Sequence, residues 1–191
     1  MGIGSSGSSR SRSGKRRPPV VSVLRLGHRP GRDPRLTTHV ALVARAFGAE
    51  RMYLNPPDGE TARRLQTVAD RWGGEFRVEG VDDWKALLRE FPGTSVHLTM
   101  YGEPLDRLLP RLKKADSLLA IVGGAKVPAE VFQRSSFNLA VGSQPHSEVA
   151  ALAILLDRLV GASSNRRWLG ARYSIVPQAR GKKVVARGSS R

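Results

Sequence analysis

SLLAIVGGAKVP (117–128) and FNLAVGSQPHSEVAALAILLDRL (137–159) decide the fold. Each opens with a short apolar run, reaches a glycine, and within a few residues meets a helix signal. Pro128 suits a first helical turn, whose N–H groups lack intrahelical partners. Ser147 suits an N-cap, with Glu148 favourable beside the positive end of the helix dipole. A strand that passes through a glycine loop into a helix N-terminus, twice in succession, is the unit of an α/β sheet.

Upstream the same alternation repeats. VVSVLRL (20–26) reads as a strand and GHRPGRDPR (27–35) as a loop, with Thr37 or Thr38 expected to cap a helix that stops at Gly48. RMYLN (51–55) reads as a strand, and Asp58 opens a helix through Trp72 that Gly73 and Gly74 end. EFRVEG (75–80) is a strand, and Asp82 is expected to cap DDWKALLREF (82–91). TSVHLTM (94–100) is a strand, and Pro104 starts a short helix to Lys114. The pattern predicts an α/β fold: a mainly parallel sheet flanked by helices. RWLGARYSIVPQARGKKVVARG (167–188) reads as a strand pair turning at Gly181.

The chain has 191 residues and 20.8 kDa, of which 40% is apolar, enough for one core. It has no cysteine, which excludes disulfides, thiolate zinc sites and a cysteine nucleophile. The four histidines are scattered, so no metal is expected. The longest apolar run, Val149 to Leu156, is far short of the roughly 20 residues that span a bilayer. With no apolar leader, a cytoplasmic location is expected.

Net charge is +16, and thirteen of those excess charges sit in two acid-free segments, 1–17 and 166–191. The expected organisation is a disordered basic tail at 1–19, a globular domain at 20–165, and a basic strand pair with tail at 166–191. Basic arms on a near-neutral body point to a polyanion, most often nucleic acid, with a solubilising tail as the plainer reading. The apolar run in 149–156 needs cover on more than one face, which a second subunit would supply.

In open α/β sheets, ligands bind beyond the carboxyl ends of strands. Three such ends carry unusual residues: Tyr101–Gly102, 123–128 and 142–148. Neither GxGxxG after the first strand nor GxxxxGK[ST] is present, so no standard phosphate cradle is expected. The absence of GxSxG leaves a serine hydrolase unsupported. Glycines beside the strand ends let backbone groups hold a ligand such as an adenosine moiety. His97, inside a strand, reads as structural. The loop with His28, Arg29, Arg32 and Arg35 reads either as a solvated basic loop or as a phosphate-facing wall.

Taken together, VLRLGHRP, TTHVALVARAFGA, VHLTMYG, VGGAKVP, NLAVGSQPHSEVAALAILLDRL and IVPQARGKKVV resemble the archaeal tRNA cytidine-56 2′-O-methyltransferase family of the SPOUT superfamily. The resemblance spans roughly residues 20–185. It implies an α/β knot, with the C-terminal part threaded into a deep trefoil knot, an exception to the rule against knots. It also implies S-adenosylmethionine as cofactor, tRNA as substrate and a homodimer. The donor site it implies is Leu98; Gly123, Gly124, Ala125, Lys126 and Val127; and Val141, Gly142, Ser143, Gln144, Pro145, His146, Ser147 and Glu148. The family pattern often reads GAEKVP and VGNQPHSE, where this chain has GGAKVP and Ser143. Related TrmH-type enzymes carry an arginine on the first helix; Leu42 stands at that position here, with Arg45 one turn later. The expected residues for positioning the 2′-hydroxyl or its flanking phosphate are His28 and Arg29, with Arg45 in reserve. A methyltransferase for another RNA position and a non-catalytic RNA-binding module are the alternatives.

Overall fold

The computed structural model describes residues 17–32, 34–124, 126–161 and 168–187. The expected tail at 1–19 lies outside the described residues except for 17–19, and the expected boundary at 165/166 lies outside them too. Six strands form one sheet: β1 (Val20–Leu26), β2 (Arg51–Asn55), β3 (Arg77–Gly80), β4 (Thr94–Pro104), β5 (Ser117–Val122) and β6 (Phe137–Ala140). Their order is β3-β2-β1-β5-β4-β6 and every pairing is parallel.

The sheet is covered on both faces, which is why β1 and β5 are buried at nearly every position rather than at alternate ones. Period-two geometry sends Val21 and Val23 of β1 into the larger core, and Leu24 and Leu26 into the smaller one. The larger core is closed by α1 (Pro34–Ala46), α2 (Gly59–Trp72), α4 (Leu105–Leu112) and α6 (Glu148–Val160). The smaller one is closed by α3 (Trp84–Glu90) and α5 (Ala129–Arg134). α6 buries Ala151, Leu152, Leu155, Leu156 and Leu159, each leucine contributing about 1.5–3 kcal/mol of transfer free energy. Its Ile154 remains exposed, as does Leu42 on α1.

Several boundaries differ from those expected. α1 starts at Pro34, not after Thr37: proline at the first helical position loses nothing, and Thr37 lies inside the first turn with its hydroxyl committed to side chains. Asp83, not Asp82, caps α3 by accepting from the Lys85 and Ala86 amides. β4 continues through Tyr101–Pro104, a stretch with the composition of a loop. Its pairing with β6 breaks between Leu98 and Glu103, so that Leu139 meets both. A Cβ at Gly102 would fall inside contact distance of the β6 backbone at Asn138 and Leu139, so the close approach demands glycine.

The last described segment forms the antiparallel pair β7 (Tyr173–Val176) and β8 (Lys183–Ala186), turning at Gly181 as expected. It hangs from the end of α2: the Arg172 amide donates to Arg71 O at 3.0 Å, and the Trp72 and Tyr173 rings lie 6.0 Å apart.

Candidate functional site

A cleft of about 490 Å³ opens at the carboxyl ends of β4 and β5. This is the position at which parallel sheets bind ligands, and the size is typical of a small-molecule site. One wall is the end of β4, from His97 to Tyr101. A second is the turn after β5, with Gly123, Gly124, Lys126 and Val127. Pro145, His146, Glu148 and Ala151, from the turn that starts α6, form the third, with Phe132 of α5 beside them. The lining mixes apolar side chains with Lys126, His146 and Glu148.

Both turns are built by local chemistry. A Cβ at Gly123 would run into a methyl group of the Val127 side chain, so a larger residue here forces Val127 to shift. Ser147 caps α6, its hydroxyl accepting from the Val149 amide at 3.2 Å. The remaining N–H groups of that first turn carry the positive end of the helix dipole toward the cleft.

Behind the β5 turn runs a chain of buried polar groups that begins at Arg25, a fully buried residue on β1. Its Nη1 donates to Gly123 O at 2.6 Å and to Leu26 O at 3.2 Å, and its Nε donates to Thr37 Oγ1 at 3.4 Å. Thr37 Oγ1 lies 2.8 Å from His28 Nδ1, and His28 Nε2 lies 3.1 Å from Asp58 Oδ2. Asp58 also accepts from the Thr61 hydroxyl at 2.7 Å and from the Glu60 and Thr61 amides. The bonds run one way: arginine to threonine, threonine to imidazole, imidazole to carboxylate. The Thr61 hydroxyl and amide, with His28, hold the Asp58 carboxyl well below the usual carboxylate range. The network thus ties the turn after β5 to the starts of α1 and α2.

The cleft gathers Leu98, Gly123, Gly124, Lys126, Val127, Pro145, His146 and Glu148. Val141, Gly142, Ser143, Gln144 and Ser147 belong to the β6–α6 connection but are not part of its lining, and Ala125 lies outside the described residues. His28 is only 1% exposed, which corrects the expectation that it touches a ribose: its two nitrogens are taken by Thr37 and Asp58. Arg29 is exposed on the loop after β1. Arg45 stands apart. Eleven residues along α1 from Pro34, roughly 16 Å at 1.5 Å per residue, it sits at the amino ends of the strands. There its Nη2 donates to Gly73 O at 2.5 Å and its guanidinium lies over the Trp168 ring, 4.5 Å from the centroid. This corrects its reserve role within a single chain. Arg25 is not among the residues expected at the site, although an arginine inside a largely apolar strand signals a buried charge with partners. His97, expected to be structural, lines the cleft.

The family model described as tRNA ribose 2′-O-methyltransferase, aTrm56, matches residues 72–185, well over half of the chain. The matched span contains all three walls of the cleft. The chain belongs to this family. Among relatives of the aTrm56 family, the tRNA (cytidine(56)-2′-O)-methyltransferase of Archaeoglobus fulgidus is 51% identical over 166 residues, covering 87% of this chain and 98% of that protein. That of Thermococcus kodakarensis is 51% identical over 174 residues, covering 87% and 97%. Solved structures show the same fold at low identity. The SpoU methyltransferase AviRb from Streptomyces viridochromogenes, in complex with AdoMet, aligns with TM-score 0.57 at 14% identity, over 79% of this chain and 60% of that one. A TrmH/SpoU tRNA modifying enzyme from A. aeolicus aligns with TM-score 0.55 at 12% identity, over 76% and 75%. The aTrm56 chain here thus shares its fold with SpoU and TrmH methyltransferases. No helix among its described residues is long and apolar enough to cross a membrane.

Proposed function

We propose that this chain methylates the ribose 2′-oxygen of cytidine 56 in tRNA, with S-adenosylmethionine as donor, in the cytoplasm and as a homodimer. The observation that carries the reading is convergence: three segments separated in sequence, ending β4, following β5 and opening α6, meet in one cleft. The residues fit the donor. Leu98, Met100, Val127 and Ala151 offer apolar surface to a purine. The β5 turn and the α6 N-terminus offer backbone groups. Glu148 is a carboxylate for a cationic ligand.

The donor supplies a methyl group already activated by its sulfonium charge. The chain has to orient a poor nucleophile and accept its proton. We assign the first task to Arg29, exposed on the loop after β1, as the side chain that faces the ribose or its phosphate. His28 becomes a positioning residue that acts through Thr37 and Arg25 on the Gly123 turn. Exposed Leu42 and Ile154 on neighbouring helices support the dimer. The charge of +16 supports binding to a folded RNA through phosphates.

Labelled S-adenosylmethionine and an unmodified tRNA transcript test the reading. Label is expected on the ribose of cytidine 56, and a 2′-deoxy nucleotide there abolishes transfer. Label at any other nucleotide, or none, refutes it. Arg29→Ala is expected to keep donor affinity and lose at least about tenfold in turnover. Full activity would remove Arg29 from the role.

A further inference from the structure

His97 on β4 is 1% exposed, yet it lines the cleft. Its Nδ1 lies 2.9 Å from Oδ1 of Asn138, its register partner on β6. Asn138 is itself oriented: its Nδ2 donates to Phe132 O at 2.9 Å. A carboxamide whose nitrogen is committed as donor turns its oxygen to the imidazole, so Nδ1 must carry the proton. The Phe132 ring meets the imidazole edge-on, with centroids 4.5 Å apart and planes at 87°, which fixes the ring further. Burial pushes the His97 pKa down, and the bond to Asn138 opposes that only in part. The ring is therefore neutral at physiological pH, and Nε2 is a bare acceptor. No donor among the described residues meets it. A bare acceptor on the wall of the cleft is open to a ligand's N–H group.

We infer that His97 Nε2 accepts a hydrogen bond from an N–H group of the methyl donor, and that the cleft admits the donor only while this imidazole is neutral. The inference rests on the donor-site reading above. The N–H comes from the purine amine or from the amino-acid ammonium. The charged or titratable groups that share the cleft are Tyr101 on β4, Lys126 after β5, and His146 and Glu148 at the start of α6. The neighbours Phe132 on α5 and Asn138 on β6 carry no charge. Glu148 is the one carboxylate in the described lining. A protonated His97 adds a cation beside a sulfonium and removes the acceptor. The demethylated product, a neutral thioether, is penalised less.

Calorimetric titration of the full chain between pH 8 and 5.5 tests this with S-adenosylmethionine, S-adenosylhomocysteine and methylthioadenosine. Affinity for the sulfonium is expected to fall measurably toward the acid end, by less than about tenfold because burial holds the His97 pKa down, and affinity for the thioether to fall less. His146→Gln is expected to retain that difference, whereas His97→Phe weakens donor binding about tenfold at pH 7.5 and abolishes the difference. His97→Gln, which restores an acceptor, recovers part of the affinity. Nitrogen NMR of the wild-type ring needs no variant to fold. It is expected to show a protonated Nδ1, and an Nε2 resonance that moves on donor addition. Methylthioadenosine lacks the ammonium: dependence of its binding on His97 assigns the purine amine, and independence assigns the ammonium. A proton on Nε2, or unchanged donor affinity in a folded His97→Phe, overturns the inference and leaves the donor site standing. Failure of the wild type to bind S-adenosylmethionine at all overturns both.

Discussion

Gly102 and Gly142 both follow strand residues that approach the cleft, but they answer to different constraints. At Gly102 the backbone of β6 occupies the space a side chain would need. At Gly142 the nearest atom to an added methyl would be His146 Cδ2 at 3.8 Å, an ordinary contact. Gly102→Ala is therefore expected to cost about 2–3 kcal/mol or more in urea unfolding, because backbone must move. Gly142→Ala is expected to change stability by about 0.5 kcal/mol or less, as at sites free of strain or burial. If the donor backs onto Gly142, the same variant weakens S-adenosylmethionine binding at least about tenfold; unchanged affinity confines the donor to the lining described, which excludes Gly142. Asp58 gives a pH-dependent counterpart. Its folded carboxyl titrates far below an unfolded aspartate near 3.9. The stability it contributes is full above that unfolded value and is lost as pH falls through the acid range. Asp58→Asn can still cap α2 but does not titrate, so its unfolding midpoint should decline less between pH 6 and 3 than that of the wild type. Equal declines would mean that other carboxylates govern acid unfolding.

At the scale of elements, legibility follows how local each cause is. α2 is readable from end to end because Asp58 caps it and Gly73, at φ 77°, ends it within the same stretch of chain. The strands are readable because apolar runs are bounded by glycine and proline. The start of α1 is misread because Thr37 has the composition of a cap, while its actual partners, Arg25 and His28, are brought to it by the fold. The reach of β4 is misread because YGEP resembles a turn until β6, some 35 residues later, is laid against it. Within the site, the two glycine turns are visible as motifs. The chain from Arg25 to Asp58 is not, since its link to Gly123 spans 98 residues. The β7–β8 pair is legible, but its place is not. It sits by the end of α2, at the amino ends of the strands, away from the cleft of the same chain. Lys182 and Lys183 at its turn are the natural phosphate contacts. Replacing both by glutamine is expected to weaken tRNA binding and to reduce the slope of log affinity against log salt by about 1–2, with donor affinity unchanged. An unaltered slope would mean that this hairpin does not touch the RNA.

The whole molecule poses a problem of reach. The cleft opens at the carboxyl ends of the strands, while the basic hairpin hangs at their amino ends. A single chain would present an RNA with a reactive centre and a cationic grip on opposite sides. A two-fold dimer resolves this, because an isologous interface can bring one protomer's hairpin to its partner's cleft. The exposed apolar residues are suited to that interface: α6 packs along α1, and Ile154 and Leu42 are left outward on the two helices, 44% and 39% exposed. Neither contributes to the core, so charging them leaves the fold intact. Leu42→Glu with Ile154→Lys is expected to convert a particle of twice 20.8 kDa into one of 20.8 kDa by analytical ultracentrifugation. The monomer should keep its melting curve and its calorimetric affinity for S-adenosylmethionine, since one chain by itself forms the cleft described. It should lose methyl transfer to tRNA, since the grip and the cleft would no longer face one RNA. A wild type that sediments as a monomer while methylating tRNA at full rate would defeat the argument, and the hairpin and cleft would then have to reach the RNA around one protomer.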